Sequence, residues 1–111
     1  MSEHPSLGAS TETIFREMNE WAEEAADERL GPDRPMDSYL CECGDGGCTD
    51  PIHLTRQEYE DVRSVPIRFA IALNHENPEI DRVLIENQRF ATVEKCSGSH
   101  AKVARATDPR R

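Results

Sequence analysis

Three thiols fall within eight residues in the run Cys41-Glu42-Cys43-Gly44-Asp45-Gly46-Gly47-Cys48. Sulfurs at this spacing meet on one ion only if the backbone between them turns sharply, and Gly44, Gly46 and Gly47 supply that freedom. Backbone N–H groups in such a turn donate to the sulfurs and soften their negative charge. Tetrahedral zinc with Cys and His ligands is the usual occupant, at about 2.3 Å to sulfur and about 2.0 Å to nitrogen. Three residues compete as fourth ligand: His53, His75 and Cys96. His53 makes a compact Cys-x-Cys-x4-Cys-x4-His set similar to a zinc knuckle. His75 or Cys96 closes a longer loop, which stabilises a small fold more. The competing chemistries are a redox couple or reduced dithiol, and an iron–sulfur cluster that only Cys96 remains to complete.

The rest of the chain must hold that loop in place. Its 111 residues make one domain, and 36% hydrophobic with 5% aromatic content leaves a thin core. A metal staple makes up such a deficit. A net charge of −9 repels phosphate backbones and disfavours broad nucleic-acid binding. The start Met1-Ser2-Glu3-His4-Pro5 has no basic, apolar leader, and no apolar run approaches the roughly 20 residues of a membrane span. The expected location is the cytoplasm, where four cysteines serve metal or redox chemistry more often than disulfides. Charge is uneven: residues 1–30 carry eight acidic side chains against Arg16 and Arg29, whereas residues 88–111 are basic. The two ends are complementary, although solvated faces are the simpler reading.

The expected fold class is α+β: an N-terminal amphipathic helix, a zinc loop, a short helix, a small antiparallel sheet and a C-terminal helix. Residues 1–10 read as a disordered start. A helix over 11–30, capped by Ser10 or Thr11, ends at Gly31-Pro32. Ile14, Met18, Trp21, Ala22, Ala25 and Arg29 form its stripe, flanked by Phe15, Ala26 and Leu30, with acidic residues opposite. Residues 31–38 read as a linker and 39–108 as a zinc-stabilised α+β domain. Within it, Thr55 and Glu58 form a capping box for a helix over about 56–64. Alternating Ile67, Phe69, Ile71 and Leu73 indicate a half-buried strand, segments near 81–86 and 89–95 a hairpin across Asn87-Gln88, and Ser99 a last helix reaching Ala106.

The runs Tyr39-Leu40-Cys41-Glu42-Cys43, Cys48-Thr49, Leu54-Thr55, Glu58-Tyr59-Glu60-Asp61-Val62-Arg63, His75-Glu76 and Val93-Glu94-Lys95 resemble a family of small uncharacterised zinc-binding proteins. These occur mostly in actinobacteria, and the resemblance spans about residues 14–109. It implies His75 as the fourth ligand beside Cys41, Cys43 and Cys48, since a histidine at the place of His53 does not recur there. The chain departs from that pattern at Asn74, where glycine is expected, and at Cys96, where a non-thiol residue is expected.

Together these features indicate a zinc-stabilised regulatory or protein-interaction module. Its candidate contact residues are Ile14, Phe15, Met18, Trp21 and Ala25, facing another protein or a second copy unless they pack on the chain's own sheet. A thiol-based redox or metal-release switch is the alternative. Glu42, Asp45 and Asp50 would raise the thiol pKa values and count against it. A knuckle-like nucleic-acid binder lacks basic and aromatic neighbours at the cysteines. No metal-hydrolase motif or nucleophilic triad is legible, so the chain does not read as an enzyme.

Overall fold

A computed structural model describes residues 7–31, 35–45, 47–48, 50–96 and 98–110, with the backbone alone for 7–10. The elements are α1 (Leu7–Leu30), β1 (Asp37–Leu40), β2 (Pro51–Leu54), α2 (Arg56–Arg63), β3 (Arg68–Ile71), β4 (Asp81–Glu86), β5 (Ala91–Lys95) and α3 (Gly98–Ala106). The α+β expectation holds. Two antiparallel sheets form, β1 with β2, and β5 between β3 and β4.

Local signals explain most boundaries. Thr55 accepts from the Glu58 N–H and Glu58 reaches back to the Thr55 N–H, so the capping box starts α2. The β4–β5 connection works without glycine, because Asn87 Oδ1 accepts from the N–H groups of Arg89 and Phe90. Two elements reach beyond the sequence expectation, and β2 was not expected. α1 begins at Leu7, four residues before the expected start, and β1 occupies the end of the stretch read as a linker. β1 was not legible because Asp37-Ser38-Tyr39-Leu40 is a strand only through its pairing with β2. The remaining expectations for 1–6 and 32–34 lie outside the described residues.

The core gathers Tyr39, Ile52, Leu54, Tyr59, Val62, Phe69, Ile71, Phe90 and Val93 between the sheets and helices. β3 departs from strict alternation: Phe69, Ala70 and Ile71 are all buried. One face meets the core, while Ala70 meets the loop after β1, where Glu42 N donates to Ala70 O at 2.9 Å.

α1 is oriented opposite to a usual amphipathic helix. Glu12, Arg16, Asn19 and Glu23 are buried, whereas Ile14, Met18 and Trp21 are exposed by 54%, 45% and 65%. The polar face is engaged by the fold. Arg16 donates to the carbonyls of Pro66 and Ala104 and lies over the Phe69 ring. Buried Lys95 of β5 pairs with Glu12 and Asp81, each at 2.6 Å. Arg63 of α2 joins Glu20 to Asp108, and Arg110 reaches Glu20, Glu23 and Glu60. The complementary ends therefore pair within the chain. Partners at hydrogen-bond distance are what make such burial tolerable.

One of these groups carries a pH signature. Burial first, then the bond and charge of neighbouring Glu60, push Glu23 up to about 7. Arg110 holds Glu60 down to about 2. Because the folded state keeps a proton on Glu23 that the unfolded chain releases at about pH 4.3, stability falls as pH rises from about 4.3 to about 7. Glu23→Gln, which is nearly isosteric and cannot ionise, should flatten this interval in urea titrations at about pH 5 and about pH 8. Equal losses of stability in both proteins across that range would contradict the assignment.

Candidate metal centre

The hairpin formed by β1 and β2 sets the geometry of the cysteine run. Its register pairs Leu40 with Pro51, and Cys41 N donates to Asp50 O at 3.3 Å, so residues 41–50 form a closed loop. Inside it, Asp45 acts as the turn-former: its carboxylate takes the Gly47 N–H at 2.9 Å and its carbonyl takes the Cys48 N–H at 2.9 Å. Gly44 sits at φ 85°, where a side chain would be strained.

The side chains of the Cys-Glu-Cys triplet part, the two sulfurs joining the cluster and the carboxylate turning away from it. Cys41 and Cys43 face the loop interior. Glu42 turns inward and is fully buried, its carboxylate accepting from Ala70 N at 3.0 Å, Asn19 Nδ2 at 2.8 Å and Tyr59 OH at 2.6 Å. Burial pushes this carboxyl up, and the three donors with nearby Arg63 oppose the shift. Asn19 also clasps both backbone groups of Leu40.

The fourth residue arrives from the far side. After β3 the chain turns at Asn74, which takes φ 68°, and His75 N donates to Ala72 O at 3.2 Å. Asparagine adopts that left-handed backbone at low cost. The turn carries His75 Nδ1 to 3.5 Å from Cys41 Sγ and 3.6 Å from Cys48 Sγ. The ligand atoms of Cys41, Cys43, Cys48 and His75 all lie within 4.8 Å of one another, a group that could hold a metal ion. Ala72 N donates to Cys41 Sγ at 3.1 Å, the kind of bond that softens a thiolate.

The other two candidates lie elsewhere. His53 projects from β2 into solvent, its Nδ1 3.3 Å from Ser38 Oγ. Cys96 is exposed beyond β5. Neither belongs to the group.

Two residues acquire roles that the sequence did not disclose. Asp50 Oδ2 lies 3.3 Å from His75 Nε2, the ring nitrogen left over when Nδ1 faces the sulfurs. A carboxylate on the second nitrogen fixes the tautomer and orientation of a ligating histidine. Glu42 is a bracket for the loop, not an electrostatic neighbour of the thiols. Burial, with Cys43 and Cys48 beyond it, pushes the Cys41 thiol up, and burial does the same to Cys43. Closely packed sulfurs resist ionising together until a cation joins them.

Cys43 and His75 also line an open cleft of about 640 Å³ with Glu12, Asp45, Glu79 and His100. The centre is thus buried on the Cys41 side and reachable from this one.

Compared with family models, curated proteins and solved structures, the chain matches none. The grouping of the four residues rests on the geometry of this chain alone.

Asp50→Asn should weaken metal affinity about tenfold, the lower end for an orienting partner because its side chain is largely exposed. Competition with a chromogenic chelator reads the change, and unaltered affinity would remove Asp50 from the site. At Asn74, glycine should preserve stability and valine should lower it by about 1–2 kcal/mol, since a β-branched side chain opposes positive φ. Equal urea midpoints for the two variants would contradict the backbone explanation.

Proposed function

We propose that this protein is a zinc-stabilised interaction module: a structural Cys3His centre that fixes a scaffold whose outer helix face contacts a protein partner. The observation that carries the metal assignment is the ligand geometry. A tetrahedral ion with sulfur at about 2.3 Å and nitrogen at about 2.0 Å sets sulfur–nitrogen separations of about 3.5 Å. Cys41 and Cys48 stand 3.5 and 3.6 Å from His75 Nδ1. Zinc suits this borderline-soft sulfur and nitrogen set. Four protein ligands leave no position for water or substrate, which favours scaffolding over catalysis. Cytoplasmic residence, and kinship with the small actinobacterial zinc-binding proteins that the motif resembles, are part of the same proposal. No helix among the described residues is long and apolar enough to cross a membrane.

When bound, zinc would supply a rigid cross-link. Cys41, Cys43 and Cys48 would hold it from the hairpin loop and His75 from the turn after β3, while Glu42 fixes the loop to α1 and α2. The contact face is supported by exposure. Ile14, Met18, Trp21 and Ala25 point outward, and Phe15 is half-buried beside them. The exposure of Ile14, Met18 and Trp21 weighs against the alternative, packing of this stripe on the chain's own sheet.

A metal-release switch is the second reading. It draws on the cleft, which leaves Cys43 and His75 within reach of an oxidant. The raised Cys41 and Cys43 thiols weigh against it.

Elemental analysis of untagged protein should find one zinc per chain in wild type and His53→Ala, and little in His75→Ala. Zinc absent from wild type purified under reducing conditions would sink the structural reading. Release of zinc by mild peroxide, reversed by thiol, would favour the switch.

A further inference from the structure

We infer that the partner of the α1 face is a second copy of this chain, paired parallel along α1, an inference that rests on reading that face as a contact surface. Ile14, Met18, Trp21 and Ala25 follow one another at intervals of four, three and four residues. This is the d-a-d-a spacing of a two-helix seam. The seam lies opposite Glu12, Arg16, Asn19 and Glu23, which are buried against the domain. Two copies joined seam to seam therefore carry their buried polar faces away from each other.

Charge sets the direction of the pair. One border of the seam holds Glu17 and Glu24 and the other holds Ala22 and Arg29, while Thr11 and Glu28 continue the seam at its two ends. In an antiparallel pair the acidic borders meet, and Glu17 faces Glu24 of the other copy twice over. In a parallel pair each acidic border meets the opposite one, and Glu24 of one copy faces Arg29 of the other at both edges. Glu24 and Arg29 are five residues apart, which is outside the spacing of an intrahelical pair. Neither has an ion pair among the described residues. The seam runs only about three turns, so a reversible, concentration-dependent dimer is expected.

Sedimentation equilibrium of the zinc-loaded full chain, at protein concentrations raised well into the micromolar range, tests this. The wild type should dimerise, and Trp21→Asp or Met18→Glu should be monomeric with zinc content unchanged. Glu24→Arg should weaken the dimer about fivefold, because the introduced guanidinium then faces Arg29 of the other copy. Adding Arg29→Glu to that variant should restore affinity. A stronger dimer in Glu24→Arg would show an antiparallel pair and overturn the parallel assignment. A zinc-loaded wild type that stays monomeric would overturn self-pairing while leaving the metal centre intact. So would dimerisation that survives both seam substitutions.

Discussion

Glu42, the buried carboxylate on which the rest of the fold depends, stands between Cys41 and Cys43 of the candidate centre and turns the other way. It meets three donors from three elements: Asn19 of α1, Tyr59 of α2 and Ala70 of β3. An acid placed there without these partners would be expelled or protonated, because burial strongly disfavours its charge. With them it fixes the orientation of Cys41 and Cys43 and the docking of α1 in a single arrangement. The thiols and the helix are therefore positioned by the same residue. The hydrogen bond from Ala72 to Cys41 extends that link into the turn that delivers His75.

The same logic accounts for an acidic chain with a thin core. A helix that buries Glu12, Arg16, Asn19 and Glu23 draws little hydrophobic stabilisation. It needs counter-charges from distant segments, which Lys95, Arg63 and Arg110 provide. These contacts specify where α1 sits more than they stabilise it, since buried ion pairs recover little beyond their desolvation cost. That leaves room for a metal cross-link to supply stability, and it leaves the apolar face of α1 free to face outward.

Much of this was legible in residue types and spacing. The three cysteines, the capping box at Thr55 and Glu58, the hairpin at Asn87 and the stripe on α1 are local patterns with local causes. His75 was selected over His53 and Cys96 by resemblance alone; spacing left all three open, and only the left-handed turn at Asn74 decides the geometry. What the sequence hid is what depends on pairing between distant segments. Asp50 meets His75 because β1 and β2 close the loop. Glu12, Glu20 and Glu23 of α1 face inward because Lys95, Arg63 and Arg110, from distant segments, meet them there. The periodicity of α1 located two faces and left open whether the apolar one meets a partner or the chain's own sheet.

The central claim is a closed centre of three sulfurs and one imidazole nitrogen. X-ray absorption at the zinc edge, on protein purified without added metal, tests it most directly. The expected spectrum has three sulfur scatterers at about 2.3 Å and one nitrogen at about 2.0 Å, with the outer-shell signature of imidazole. A shell of four light atoms, a water in place of the imidazole, or four sulfurs through Cys96 would contradict it.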